Sequence, residues 1–162
     1  MNLAKQTEAK VVLGLRVKNK LEIQNAIFRA YDIRGEYPNQ INKDVFFLLG
    51  QAIGTKVKNA NTGSICVCMD GRLSSNELKN SLIKGLLSTG NDVIDIGMLP
   101  TPLLYFSLHH LKVANGLMIT GSHNPKNYNG IKIVLNNKTL FGDDISNLYR
   151  SITENIITKN KQ

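Results

Sequence analysis

Apolar positions recur along the chain with two periods, one helical and one extended. In "NKDVFFLLGQAIGTKVKNA" Val45, Leu48, Leu49, Ala52, Ile53 and Val57 share a helical face, and Asn42 stands where an N-cap belongs. "LSSNELKNSLIKGLLSTG" repeats the pattern with Leu78, Leu82, Leu86 and Leu87; Ser74 and Glu77 have capping-box spacing, and Gly90 suits the stop. "LPTPLLYFSLHHLK" predicts a third helix capped by Thr101 with Pro102 in its first position. "GDDISNLYRSITENI" predicts a fourth, with Ile145, Leu148, Ile152 and Ile156 on one side. Four short apolar runs between these, "SICVCM", "DVIDIG", "NGLMIT" and "IKIVL", read as strands. The first is apolar enough to be buried on both faces.

Strands alternating with helices predict an α/β fold: a three-layer α/β/α domain on a four-stranded, mixed, mostly parallel sheet. The last two strands are separated by little more than "GSHNPKNYNG", short for a parallel crossover, so that pair is open to an antiparallel arrangement. Residues 1–25 are irregular and Lys-rich and read as an N-terminal arm; 26–157 form the domain, and 158–162 a C-terminal tail.

Charge narrows the choice of partner. The formal net charge is +8, from 20 Lys and Arg against 12 Asp and Glu, but the arm carries five basic and two acidic groups and the tail two lysines. The span between them holds only +3, which argues against a nucleic-acid footprint and leaves an anionic small molecule. No run approaches the roughly 18 apolar residues of a membrane span, and "AKVVLGLRVKNK" is interrupted by Arg16 and lacks a small-residue cleavage site. A cytoplasmic protein that does not bind membranes is the expectation. Cys66 and Cys68 lie two apart in an apolar strand with no further cysteine to complete a zinc set, so they read as buried free thiols.

Three polar clusters follow apolar runs: "FRAYDIRG", "MDGRLS" and "TGSHNPKNYNGIK". Each sets Gly beside charged or hydroxyl groups, as backbone needs when it approaches an anion closely. Arg29, Arg34, Arg72, Lys126 and Lys132 together would make a cationic pocket suited to a phosphorylated substrate. The competing reading pairs Arg34 with Asp32 and Arg72 with Asp70 as local ion pairs. Ser122 is the candidate nucleophile. His123 is adjacent in sequence and G-x-S-x-G is lacking, so a hydrolase pair fits poorly, whereas a serine that carries a phosphoryl group needs only positioning and cations. His109 and His110 read as ordinary helix residues.

The four segments "FRAYDIRG", "DGRLS", "GMLPTP" and "TGSHNPKNYNGIKI", in this order, resemble the N-terminal domain of the α-D-phosphohexomutases, over Ile27 to Arg150. The resemblance implies that Ser122 is the catalytic serine, phosphorylated in the active enzyme, with its phosphate as a ligand of Mg²⁺. It implies catalytic roles for His123 and Lys132, Lys132 in proton transfer or charge stabilisation, and substrate contacts from Tyr31, Arg34 and Asn124. The implied activity interconverts hexose 1-phosphate and hexose 6-phosphate, of mannose or glucose, through a bisphosphate intermediate. Met69 and Ser75 stand where the family usually has Arg and Gly. Family members are longer, with a metal loop, a sugar-recognition loop and a phosphate clamp in later domains, so the implied partners are a hexose phosphate and the remaining domains of a full-length mutase. Asp32, Asp70 and Asp95 are scattered singly, which predicts an incomplete metal site and an inactive isolated chain. The alternative is a non-catalytic domain that binds phosphosugars or docks on a mutase.

Overall fold

The computed structural model describes residues 23–158. Residues 1–22 of the expected arm and 159–162 of the expected tail lie outside the described residues, while Ile23, near the end of the expected arm, is buried in the core. Six strands form one mixed sheet: β1 (Ile33–Glu36), β2 (Ile65–Met69), β3 (Val93–Met98), β4 (Asn115–Ile119), β5 (Tyr128–Leu135) and β6 (Lys138–Thr139). Among the described residues four α-helices accompany them, α1 (Lys43–Ala60), α2 (Ser75–Leu87), α3 (Thr101–Leu111) and α4 (Asp143–Thr153), with a short 3-10 turn at Asn25–Ile27. The strand order is β1-β5-β4-β2-β3, with β6 on β5.

The four expected strands are β2 to β5, and the expectation of four is corrected to six. β1 escaped notice because "IRGE" shows no apolar alternation; it is held by antiparallel pairing with β5, Arg34 opposite Gly130 and Gly35 opposite Asn129. β6 is a two-residue return after Asn136 and Asn137, both left-handed (φ 50° and 61°), the backbone a tight hairpin needs. The sheet is also less parallel than expected. β2 pairs in parallel with β3 and β4, but β4–β5, β1–β5 and β5–β6 are antiparallel.

Helices cover both faces. α1, α2 and α4 bury Leu49, Ile53, Leu82 and Leu148, among others, on the sheet face formed by Ile65, Val67, Leu117, Ile119, Ile131 and Ile133. α3 packs Leu104 and Leu108 on the opposite face, against Cys66, Cys68, Met118 and Val134. Alternation along each strand thus puts odd and even residues into different cores. α1 and α2 approach closely where Gly50 meets Gly85: a Cβ on Gly50 would lie 2.3 Å from the Leu82 carbonyl oxygen, and one on Gly85 2.2 Å from that of Phe47. Both cysteines are free and buried, and burial, ahead of the neighbouring Cys66 and Asp95, pushes the Cys68 thiol up to about 12.

Capping differs between helices. Asn42 Oδ1 accepts from the Asp44 and Val45 amides at 3.0 and 3.1 Å, as the sequence predicts for α1. The capping box expected for α2 does not form. Ser74 is the N-cap residue, but its backbone is helical and its side chain makes no cap bond; its hydroxyl accepts from Asn129, and Glu77 accepts from the Tyr37 hydroxyl at 2.7 Å. In α3 the cap position falls to Pro100, with Thr101 already helical. Leu87 and Ile156 face solvent, because α2 ends at Leu87 and α4 ends before Ile156.

Candidate functional site

Parallel strands β2, β3 and β4 point their carboxyl ends to one edge of the sheet, where α/β proteins present ligand-binding loops. The segments that follow them there are "DGRLS", "LPTP" and "TGSHNPKN". β1 runs alongside, with Ile33 level with Ile131 and thus with Ile119, so Arg34 projects from the sheet at the height of the Ser122 loop.

Ser122 sits exposed in a left-handed turn, φ 52°. Only Gly adopts that conformation without cost, so the surrounding bonds must hold it. They converge from two sides. The Ser122 amide donates to Thr120 Oγ1 at 2.9 Å, and the Gly121 amide donates to Asp70 Oδ2 at 3.1 Å. Asp70 Oδ1 accepts from the Ser75 hydroxyl at 2.6 Å and from the Arg72 amide at 3.1 Å. Burial alone would raise the Asp70 carboxyl, but the Ser75 hydroxyl, the Arg72 amide, the Thr120 hydroxyl and the Gly121 amide favour its charged form and hold it below its usual value. Behind this group the fully buried Asn129 donates to the hydroxyls of Ser74 and Ser75 at 2.8 and 3.0 Å.

The guanidinium of Arg72 reaches into the same turn. Its terminal nitrogens donate to the carbonyls of Pro125 (2.6 Å), Asn124 (2.7 Å), Tyr128 (2.9 Å) and Ser122 (3.2 Å), and its Nε lies 3.4 Å from Asp70 Oδ2. Arg34 is buried, pairs with Asp32 and donates to the Gly121 carbonyl at 3.1 Å; its Nε is buried with no partner. Both local ion pairs weighed from sequence therefore exist. They remove Arg72 from the expected cationic pocket and leave Arg34 only partly available. Of the remaining cations, Arg29 and Lys126 are exposed. Lys132 lies half-buried on β5, opposite Met118 and on the α3 side of the sheet, the side to which Arg34 also projects.

The other expected residues divide. Asn124 is built into the turn, its amide and its Nδ2 both donating to the Gly121 carbonyl at 3.1 and 3.3 Å. His123 is exposed beside Ser122, and Tyr31 is 73% exposed in the bend before β1. Asp70, Ser75, Thr120 and Asn129 complete the support of the turn, and the only sequence signal for Asp70 is its place beside Gly71 in "MDGRLS". An open groove of about 680 Å³ runs past the turn, lined by Tyr37, Leu73, Ser74, Lys126, Asn127 and the Gly71–Arg72 segment, the Arg72 guanidinium being turned into the loop carbonyls. Among the described residues no three His, Cys, Asp or Glu side chains converge as a metal cage would require. No helix there is long and apolar enough to cross a membrane.

Residues 25–159 match the family described as phosphoglucomutase/phosphomannomutase, alpha/beta/alpha domain I. A phosphomannomutase/phosphoglucomutase of Pseudomonas syringae pv. tomato is 43% identical over 139 residues, covering 86% of this chain and 30% of the relative. A phosphomannomutase of Escherichia coli is 46% identical over 121 residues, 74% of this chain and 26% of the relative. The crystal structure of a phosphoglucomutase/phosphomannomutase family protein from Burkholderia thailandensis superposes with a TM-score of 0.82 at 38% identity, covering 86% of this chain and 32% of that one. The chain thus spans about a third or less of the length of these relatives. It belongs to the phosphoglucomutase/phosphomannomutase family, as the α/β/α domain I of that family.

Proposed function

We propose that this chain is the phosphoserine-bearing domain of a phosphohexomutase, with Ser122 as the phosphoryl carrier between hexose 1-phosphate and hexose 6-phosphate. The observation that carries the reading is Ser122 itself: an exposed residue in a left-handed turn whose amides are held by Thr120 Oγ1 and Asp70 Oδ2, beyond the carboxyl ends of β2 and β4. A serine kept in so unfavourable a conformation, with its hydroxyl turned to solvent, suits a group that must meet a substrate.

In the proposed transfer a free hydroxyl of the hexose phosphate attacks the phosphorus on Ser122. The phosphorus–Oγ bond breaks, the sugar hydroxyl gives up its proton, and Oγ leaves as the serine hydroxyl after taking one. The sugar is now a bisphosphate. Reversal at its other phosphate returns a phosphoryl group to Ser122 and releases the isomeric monophosphate. Lys132 and Arg34, on the same side of the sheet, supply positive charge for the phosphoryl oxygens, and Lys132 is the candidate proton carrier. Asn124 shapes the turn, and His123 and Tyr31 line its exposed approach.

Mg²⁺, if bound through the phosphate on Ser122, would neutralise part of the phosphoryl charge. The described residues do not fit a complete cage for it: Asp70, the carboxylate bonded to the Gly121 amide, is already occupied by two amides and two hydroxyls. The remaining ligands, and the groups that choose between mannose and glucose, belong to other domains on this reading.

Incubation of the chain with glucose 1,6-bisphosphate and Mg²⁺, followed by intact-mass measurement, tests the proposal. One added phosphoryl group, lost in Ser122→Ala, is the expected result; an adduct that persists in Ser122→Ala would sink it. The same chain given glucose 1-phosphate is expected to show negligible turnover to glucose 6-phosphate, and turnover at the rate of a full-length mutase would overturn that part.

A further inference from the structure

Arg72 carries the formal charge expected of a phosphate ligand, yet its hydrogen bonds go elsewhere. A guanidinium has five N–H donors in a rigid plane. Here four go to the carbonyl oxygens of Ser122, Asn124, Pro125 and Tyr128, and Nε faces Asp70. No donor remains for a substrate. Three of these carbonyls belong to the turn that presents Ser122, one of them that of Ser122 itself, and the fourth, Tyr128, opens β5 where the turn ends.

Two further observations point the same way. Gly121 lies flat against the guanidinium: a Cβ there would come within 2.2 Å of both Cζ and Nε, so the residue before Ser122 is shaped to admit this side chain. Asp70 also ties together both ends of the arrangement: its Oδ1 accepts from the Arg72 amide, and its Oδ2 accepts from the Gly121 amide and lies 3.4 Å from Arg72 Nε. The Ser75 hydroxyl, itself an acceptor from buried Asn129, fixes Asp70 from behind at 2.6 Å.

We propose that Arg72 is a positioning residue for Ser122: it gathers the carbonyls of Ser122, Asn124, Pro125 and Tyr128 around its guanidinium, holds the left-handed turn, and leaves the hydroxyl outward. It is not a ligand of the transferred phosphoryl group. The kinetic part of this inference rests on the phosphoryl-carrier reading of Ser122; the structural part does not.

Two measurements on the whole chain decide it. The first is hydrogen exchange of the backbone amides in wild type, Arg72→Ala and Arg72→Lys, the latter keeping the charge and most of the stem. Exchange within residues 121–128 is expected to speed up by about tenfold or more in both variants, with peptides from α1 and α4 unchanged, because an ammonium cannot serve four carbonyls at once. Wild-type protection of the turn in Arg72→Ala, or in Arg72→Lys, would overturn the proposal. The second is the rate of phosphoryl uptake on Ser122 as a function of glucose 1,6-bisphosphate concentration. Arg72→Lys is expected to lower the maximal rate by about tenfold or more while the half-saturating concentration stays within about twofold. A raised half-saturating concentration with an unchanged maximal rate would make Arg72 a phosphate ligand and the proposal wrong. If wild type takes up no phosphoryl group, the carrier reading fails, and the exchange comparison still decides the role of Arg72.

Discussion

Ser122 holds a backbone conformation that a Cβ penalises by about 1–2 kcal/mol. Replacing it by glycine removes that penalty, partly offset by the greater freedom of glycine in the unfolded chain. Ser122→Gly is expected to raise stability in urea by up to about 1 kcal/mol, while Ser122→Ala, which keeps the Cβ, stays within about 0.5 kcal/mol of wild type. Both lose the phosphoryl adduct. Equal stabilities for the two variants would show that the turn stores no such strain. Asp70 and Asp95 both contribute to stability toward acid. Asp95 is raised by burial but lowered more by the Lys79 ammonium, at 2.5 Å, and by the Gly97 amide. Both carboxyls are thus held below the ordinary 3.8. Their contribution is present in full above that value and is lost as pH falls below it toward the lowered one. Urea midpoints between about pH 3 and 6 are expected to fall at the acid end, and more shallowly in Asp70→Asn than in wild type.

Among the elements, α1 and α2 offer a direct comparison of two caps proposed on equal sequence evidence. Asn42 caps α1 with two amide bonds, so Asn42→Ala is expected to cost about 1 kcal/mol in urea unfolding. Glu77 caps nothing and meets only the exposed Tyr37 hydroxyl, so Glu77→Ala should cost less than about 0.5 kcal/mol. The reason Ser74 abandons its cap lies far away in sequence: Asn129, buried beside it, offers its hydroxyl a stronger claim. Periodicity made the four helices and strands β2 to β5 legible, since each buries a regular apolar face. It could not show β1, which carries Arg34 and Gly35 and exists because β5 offers it a partner, or β6, which depends on two left-handed asparagines.

At the scale of the whole molecule, the site edge was legible as three glycine-bearing clusters, and the structure does bring "DGRLS", the Ser122 turn and Arg34 together. The function of each cation was not. Arg72 serves carbonyls, which every residue possesses and no sequence pattern marks, some 50 positions downstream. The two cores also differ in kind. Three helices cover one face, whereas the other holds both cysteines, Met118 and Val134 under α3 alone. Neither thiol is exposed, and burial pushes the Cys68 thiol up to about 12, so the native chain is expected to be silent toward thiol reagents at pH 8 until it unfolds. That silence is a practical gift for spectroscopy. A single Ser122→Cys substitution, with the native cysteines left in place, would give one reporter at the turn, and mass measurement after brief maleimide treatment should find one label; two or three would mean that α3 opens the sulfur-lined face.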